Sequence, residues 1–478
     1  MTSIAKRQYV LSDHPLSLEG MTETVLAGKY LYTHRELNMG TWHTADGRQV
    51  IVLGNAFCTD TAGKRPQEDI AAFAGEDVAD ATRYWTGRWT LITENELCND
   101  AAGLMGVYYA EYEKGWVVTS SPALLAQVTG KNSRGTVKPD GISWQIVPGC
   151  IVEGGKSLLC TQRLCFTQTG LSTAPDHWIR DRRSFSTQEK CRAVADMLVN
   201  GSKNIHAFSG RDILLALTGG KDSRLTFSAL VSAGVPFSCY TAQHENISNA
   251  DKTIPQQLCK TFGISHRYIK NAKMDKSRLW DYIRFTAGNS NGADAQFFAR
   301  GQFDDLPENA VVIRSGLYEA GQTYGRSIAG ADRDSFIKGM TGYYSELAND
   351  PVQAEAFSQW LKNAQENPID FVDLRDRFYM EQRVGGWAAA IEQSLDMNDF
   401  VSIQIANCPE LLSVLLSATE QERKELALSY KTMELLAPGV LSFAVNKPSL
   451  SDKLLRIKGV LKDPIRKIRN YLNNFVSR

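Results

Sequence analysis

The residues best suited to chemistry lie in the run ILLALTGGKDSR, from Ile213 to Arg224. An apolar strand is predicted to lead into a glycine-containing turn, and a helix is predicted to begin at once after it. The two adjacent glycines allow a sharp turn whose N–H groups point into a cavity. With nearby hydroxyls and the positive end of the following helix, the turn predicts a cradle for a polyphosphate. Its residues are Thr218, Gly219, Gly220, Lys221, Asp222 and Ser223.

An acidic side chain in this turn requires a partner of opposite charge. Asp222 would repel a phosphate unless a cation lay between them, so the sequence predicts that Asp222 binds Mg²⁺. A glycine pair alone would indicate only a tight turn with a helix cap. The full run between a strand and a helix favours pyrophosphate binding, and it matches neither a Walker A loop nor a Rossmann fingerprint.

The surrounding pattern predicts two kinds of domain. Residues 1–175 are rich in short β-branched and aromatic runs separated by Gly, Asn and Asp, which predicts an α+β domain with antiparallel pairing. A polar linker, 172–190, is followed by strands alternating with helices, which predicts βαβ crossovers and a parallel sheet. Helical patterns dominate from about Ser335 onward. The predicted domains are therefore 1–175 and 176–478.

Composition excludes several classes of protein. The 478 residues carry 53 basic and 53 acidic side chains, which argues against a broad nucleic-acid-binding surface. The nine cysteines form no CxxC pair, so reduced thiols are expected rather than a zinc site or a disulfide framework. Neither a signal peptide nor a transmembrane run is evident, which favours a cytoplasmic location.

The turn resembles the signature S-G-G-x-D-S of the PP-loop ATP pyrophosphatases, with Thr218 in place of the first serine. The wider sequence resembles asparagine synthetase and its relatives, the β-lactam synthetases and lasso-peptide cyclases. The resemblance implies that ATP is cleaved between its α and β phosphates and that a carboxylate receives AMP before an amine captures it. It also implies an adenine nucleotide α-hydrolase-like fold for the PP-loop domain.

Three further segments supply site residues by resemblance. The segment 311–326 lies where the family has S-G-E-G-x-D-E, and Glu319 is expected to be a second Mg²⁺ ligand, although a solvated residue at a helix start is the plainer interpretation. The segment DLRDRFYMEQRVGGW resembles the family helix with its E-x-R motif. It supplies Tyr379 and Glu381 as candidates for deprotonating an amine, and Arg383 and Trp387 beside them. Tyr379 and Arg383, four residues apart, would share a helix face.

A lysine near the C-terminus completes the expected site. Related synthetases place a lysine near the AVNKP run that contacts the α-phosphate or pyrophosphate, and Lys447 is the best match, with Lys453 as an alternative. Such a cation, together with the amides of Gly219 and Gly220, would neutralise charge on the departing group. A surface lysine is the plainer interpretation of Lys447.

The N-terminal region resembles the Ntn-type glutaminase half of asparagine synthetase, an antiparallel sandwich. Family glutaminases use an N-terminal cysteine, whereas this chain begins Met1-Thr2-Ser3. We therefore expect this domain to be inactive as a glutaminase. The expected substrates are a small-molecule or peptide carboxylate and an amine not produced by the chain's own glutamine hydrolysis.

Other interpretations remain open at this stage. The chain could be a PP-loop enzyme that modifies tRNA, or a catalytically dead partner protein that keeps the fold; a homodimer or a complex with a partner protein is also possible. The basic C-terminal run could dock on a membrane, a nucleic acid or a partner, although a solvated helix packed on the domain is the simpler interpretation.

Overall fold

The computed structural model describes residues 3–138, 141–243, 247–270, 272–443 and 445. None of the helices in these ranges combines the length and the apolar character needed to cross a bilayer.

Two antiparallel sheets occupy the first part of the chain. The first has the order β10-β8-β9-β1-β3-β2 and the second β12-β11-β7-β6-β5-β4. The strands are β1 (Tyr9–Ser12), β2 (Met21–Leu26), β3 (Lys29–His34), β4 (Met39–His43), β5 (Gln49–Cys58), β6 (Trp85–Ile92), β7 (Glu96–Asn99), β8 (Tyr108–Tyr112), β9 (Gly115–Thr119), β10 (Lys156–Ser157), β11 (Gln162–Thr167) and β12 (Gly170–Pro175). Two helices accompany them, α1 (Pro66–Ala72) and α2 (Pro122–Thr129).

The two sheets pack face to face. Leu11 and Val118 of the first sheet share one buried cluster with Ile51, Leu53 and Leu164 of the second. Residues two apart on a strand point to the same face, which explains why Ile51 and Leu53 enter this core together, while Val52 between them is buried in a separate cluster on the other face of the sheet.

The remainder of the chain alternates between helices and parallel strands before becoming mostly helical. In chain order the elements are α3 (Thr187–Ser209), β13 (Asp212–Ala216), α4 (Lys221–Ala233), β14 (Ser238–Gln243), α5 (Asn249–Phe262), β15 (Ser265–Lys270), α6 (Lys276–Thr286), α7 (Ala293–Ala299), β16 (Ala310–Arg314), α8 (Arg333–Tyr343), α9 (Glu346–Asn349), α10 (Pro351–Glu366), α11 (Leu374–Phe378), a π-helix (Tyr379–Ala388), α12 (Ala389–Leu395), β17 (Val401–Gln404), α13 (Pro409–Leu416), α14 (Glu420–Glu425) and α15 (Ala427–Leu436). Short 3₁₀ turns span Val78–Thr82, Tyr318–Gly321 and Pro438–Ser442.

Five parallel strands form the second half's sheet, in the order β15-β14-β13-β16-β17. The strand β13 is central, and the chain continues from it to β14 on one side and later to β16 on the other. Its carboxyl end is therefore a point where strand order reverses, which is where open α/β sheets bind ligands. The predicted phosphate turn follows β13 at this point.

The predicted fold class is confirmed: an antiparallel two-sheet region is followed by a parallel α/β region with a largely helical C-terminal part. The strand β17 was not predicted. Its four residues, Val401–Gln404, lie among helical patterns, and four residues are too few to show the alternation that identifies a strand. The domain boundary near residue 175 stays a prediction.

Candidate active site

The turn between β13 and α4 is folded by its own hydroxyl groups. The Thr218 N–H donates to Ser223 Oγ at 3.1 Å, and the two hydroxyl oxygens lie 3.0 Å apart. The Gly220 N–H donates to Thr218 Oγ1 at 3.1 Å. Within the described residues, no side-chain hydrogen bond caps the start of α4, and the N–H groups of its first turn, which have no intrahelical partners, can bind an anion.

The Gly219 amide has a different partner from the predicted one. Its N–H donates to Asp251 Oδ1, near the start of α5, at 2.6 Å. Asp251 is itself held by the Ser248 hydroxyl at 2.8 Å. Both the Gly219 and Gly220 amides are thus engaged by side chains in this structure, and their binding to a phosphate stays a prediction. Because the Asp251 carboxylate accepts a hydrogen bond from the Gly219 N–H, this amide of the turn is able to bind an anion.

Gly219 also has little room for a side chain. A Cβ at this position would lie 3.1 Å from the backbone of Ala250 and 3.2 Å from its Cβ. We expect Gly219→Ala to lower the free energy of unfolding by about 1–3 kcal/mol, measured by urea denaturation, because α5 must move to make space. Gly342→Ala, in α8 with nothing within 4 Å, should instead raise it by about 0.5–1 kcal/mol. A neutral Gly219→Ala would contradict the tight packing of the turn on α5.

A cavity of about 380 Å³ opens at the carboxyl end of the parallel sheet beside this turn. The turn and the segment after β16 form one side, and the π-helix with the start of α12 forms the other. Its lining includes Thr218, Gly220, Asp222, Ser223, Arg314, Ser315, Gly316, Glu319, Tyr324, Tyr379, Arg383, Val384, Trp387 and Gln404. Four of the six predicted loop residues thus line one cavity together with Glu319 and Tyr379, whereas Gly219 and Lys221 do not line it.

Two carboxylates face the same part of this cavity. Burial, and next the negative charge of Glu319, raise the pKa of Asp222. The Tyr379 hydroxyl donates to Glu319 Oε2 at 2.7 Å, and Gln322 Nε2 donates to Asp222 Oδ1 at 3.1 Å. Burial and the Glu319 charge raise the pKa of Tyr379 well above its ordinary value, so its hydroxyl keeps its proton at neutral pH.

These groups fit a magnesium ion together with phosphates. Asp222 and Glu319 supply carboxylate oxygens, and Ser315 lines the cavity with a buried Oγ that has no hydrogen-bond partner among the described residues. Mg²⁺ prefers such hard oxygen donors and is usually held by one or two carboxylates plus waters and substrate phosphates. Among the described residues, no group of three or more His, Cys, Asp or Glu side chains is arranged for a metal. The donor set therefore suits a metal that arrives with a nucleotide.

The ionised Asp222 should destabilise the free protein. Because the folded state raises this pKa, it binds the proton more tightly than the unfolded chain, so stability falls as pH rises from 3.8 through the higher folded value. We expect Asp222→Asn to unfold at higher denaturant concentration than the native chain at pH 7 without Mg²⁺. The difference should shrink below pH 3.8, where the native carboxyl is neutral in both states. An Asn variant that is less stable throughout this pH range would contradict the electrostatic picture.

Two arginine side chains reach the cavity, Arg383 from the wall opposite the carboxylates and Arg314 from the end of β16. The Arg383 guanidinium lies 4.2 Å from the ring centre of Trp387 and 5.1 Å from that of Trp144. Arg314, at the end of β16, pairs with the buried Glu392 at 3.0 Å. Trp144 comes from the predicted N-terminal domain, more than 200 positions from Arg383, and no local pattern in the sequence links them.

A π-helix, Tyr379–Ala388, places the aromatic and basic residues of this wall. Its wider turn is an arrangement often found at functional sites. Tyr379, Arg383 and Trp387 all line the cavity, as the four-residue spacing predicted for the first two. Within this helix, Gly386 makes room for Trp144, since a Cβ there would lie 2.8 Å from the indole ring.

Glu381 does not reach the cavity, and its predicted role beside Tyr379 is corrected. Its side chain is fully buried, pairs with Arg377 at 3.0 Å, and accepts hydrogen bonds from the Thr161 hydroxyl and the Trp360 indole. It therefore lies on the opposite face of the helix, where it joins the N-terminal region, α10 and α11. The partner of Tyr379 in the cavity is Glu319 instead.

The remaining predicted residue, Lys447, lies outside the described residues, as do Lys453 and the basic C-terminal run. The described site residues are thus the turn Thr218–Ser223, Glu319 and Tyr379, and two residues not emphasised by the sequence, Ser315 and Arg314, join them. Ser315 follows a parallel strand adjacent to β13, and that position was the signal available for it.

Comparison with known proteins gives limited similarities. No family model matches the chain, and no curated protein matches it. Among solved structures, it is similar to an NMN synthetase from Francisella tularensis (19% identity, TM-score 0.20, 28% of this chain and 57% of that one). It is also similar to a glutamine-dependent NAD⁺ synthetase from Acinetobacter baumannii in complex with ADP (17%, TM-score 0.22, 35% and 31%). An NH₃-dependent NAD synthetase from Campylobacter jejuni gives 16% identity, TM-score 0.23, and 42% and 94% coverage.

The chain thus spans 57% and 31% of the first two of these structures. At such identities and TM-scores, the similarities support no argument about activity or substrate. The function has to be argued from the cavity itself.

Proposed function

We propose that this chain is an ATP-dependent carbon–nitrogen ligase that activates a carboxylate as its AMP ester, releases pyrophosphate, and couples the acyl group to an amine. One observation carries the proposal. A phosphate-type turn at the carboxyl end of β13 shares a cavity with two carboxylates, Asp222 and Glu319, whose mutual repulsion a divalent cation would relieve.

The chain's residues have distinct roles in this proposal. The turn Thr218–Ser223 and the uncapped start of α4 bind the phosphates of ATP. Asp222 and Glu319, with Ser315, hold Mg²⁺, which would supply positive charge to neutralise the phosphate oxygens. Because the Gly219 amide is already bonded to Asp251, phosphate binding at that amide requires Asp251 to give up the bond.

Tyr379 serves to orient rather than to accept a proton. Its hydroxyl, protonated at neutral pH, donates to Glu319 Oε2 and so fixes the carboxylate towards the cavity. Trp387 and Val384 provide an apolar wall that limits water around the reacting carboxylate. Lys447 remains the proposed cation for the departing pyrophosphate, and the base that deprotonates the amine is assigned to no residue.

Hydroxylamine offers a test that does not require the natural amine. The full chain is incubated with Mg²⁺, ATP, hydroxylamine and a panel of amino acids, dicarboxylates and sugar acids, and pyrophosphate and hydroxamate are measured. We expect equal amounts of both with at least one carboxylate class. Tight ATP binding without pyrophosphate release across the panel would favour the partner-protein alternative, and release stimulated only by tRNA would favour the tRNA-modifying one.

A further inference from the structure

A second cavity, of about 570 Å³, lies at the other end of the parallel sheet. Its walls come from β4 and β5, the start of α1, the end of α3 and the strands β16 and β17. It shares no lining residue with the candidate active site, because that site opens at the carboxyl ends of the strands while Arg211 and Val311 lie at the amino ends. The cavity is therefore a separate candidate binding site.

The charged side chains that line this cavity are both positive. They belong to Arg65 and Arg211, and in the part of the chain that the structure describes neither is ion-paired with a carboxylate. The Arg65 guanidinium lies 4.6 Å from the ring centre of Phe208, and Arg211 donates to the Glu308 carbonyl at 3.3 Å. The two guanidinium groups are thus positioned by an aromatic ring and a carbonyl, which leaves their charges uncompensated.

A third guanidinium group, that of Arg7, lies near Arg211. Burial lowers the pKa of Arg7, the negative charges of Asp396 and Glu36 oppose that shift, and the positive charge of Arg211 adds to it. Arg7 has Glu36 at 3.5 Å and donates to the carbonyls of residues 399 and 400, just before β17. Because carboxylates compensate Arg7, the favourable potential that an anion would meet in the cavity comes from Arg65 and Arg211.

The rest of the lining offers apolar surface and amides. Trp42 lines the cavity from β4, and Phe208 lines it from α3. Asn38 and Asn55 are joined by a 2.7 Å hydrogen bond at the rim. Gly40 leaves the Trp42 indole uncovered on one side, since a Cβ there would lie 2.7 Å from the ring. Aromatic surface beside unpaired cations is the arrangement that binds an organic anion.

We propose that this cavity binds a small organic anion, with a carboxylate or phosphate held by Arg65 and Arg211 and an apolar body against Trp42 and Phe208. The basic C-terminal run, 446–478, carries the same sign of charge as the cavity and so does not suit it as an occupant. The strands β16 and β17 also contribute Arg314 and Gln404 to the first cavity, so both cavities share the same sheet.

Calorimetric titration of the full chain with phenyl phosphate, benzoate and the neutral benzyl alcohol tests this proposal. We expect one site for phenyl phosphate or benzoate, none for benzyl alcohol, and weaker binding at higher salt. Arg65→Gln and Arg211→Gln should each weaken binding by about tenfold or more. Arg333→Gln, an exposed arginine on α8, should leave it unchanged.

Three results would overturn the proposal: no binding of either anion, equal binding of benzyl alcohol, or unchanged affinity in both Arg65→Gln and Arg211→Gln. Circular dichroism of each variant checks folding, and two independent single variants keep the test decisive if one is unstable. A non-hydrolysable ATP analogue at saturation should not displace the anion. Because that analogue binds the first cavity, its own binding reports separately on the proposed function.

Discussion

Asp222→Asn is expected to reduce Mg²⁺-dependent pyrophosphate release by about 100-fold or more, because the variant loses a metal-binding carboxylate in a buried site. The same substitution should stabilise the free protein, since it removes a carboxylate whose pKa is raised by burial and by the charge of Glu319. Opposite effects of one substitution on activity and on stability are the signature of a residue kept for function. Activity is measured by pyrophosphate release with the carboxylate identified by the hydroxylamine assay.

Asp334→Asn provides the matched control, since Asp334 is 94% exposed at the start of α8 and distant from the cavity. It should retain nearly full activity. Full activity of Asp222→Asn would show that the turn after β13 does not bind a metal-bound phosphate.

Glu381→Ala is expected to have the largest effect on stability, lowering the free energy of unfolding by about 3–5 kcal/mol. The substitution would leave the Arg377 guanidinium, whose side chain is 4% exposed, without its carboxylate partner. It would also remove the acceptor for the Trp360 indole and the Thr161 hydroxyl. Chemical denaturation monitored by tryptophan fluorescence measures the loss.

Glu366→Ala controls for the removal of a helical glutamate. Glu366 forms an exposed i,i+4 pair with Lys362 at 3.8 Å, and its loss should cost less than about 0.5 kcal/mol. If Glu381→Ala kept native stability but abolished activity, the original prediction that Glu381 takes part in catalysis would be restored.

The position of the turn could be predicted from the sequence because every part of it is local. A buried apolar strand, two glycines and a helix start lie within twelve residues, from Ile213 to Arg224, and the parallel sheet follows from the strand–helix alternation around them. The contribution of Glu319 could be predicted by resemblance alone. The place of Glu319 beside Asp222 depends on β16 pairing with β13. The alternation of strands and helices indicates a parallel sheet but does not determine which strands are neighbours in it.

Other parts of the site depend on contacts between distant segments. The Gly219 amide bonds to Asp251, 32 positions away, and Trp144 packs against Arg383 across the boundary between the predicted domains. The side-chain direction of Glu381 could have been predicted, because residues two apart on a helix lie on nearly opposite faces. Glu381 is two positions after Tyr379, and it pairs in the core with Arg377, four positions before it.

The central claim is that the cavity beside Thr218–Ser223 binds Mg²⁺ with ATP, and calorimetric titration with a non-hydrolysable ATP analogue tests it most directly. The account predicts one site in the presence of Mg²⁺, with affinity reduced at least about tenfold by EDTA, by Asp222→Asn and by Glu319→Gln. Absence of binding by the native chain, or an affinity of Asp222→Asn equal to that of the native chain in the presence of Mg²⁺, would contradict it.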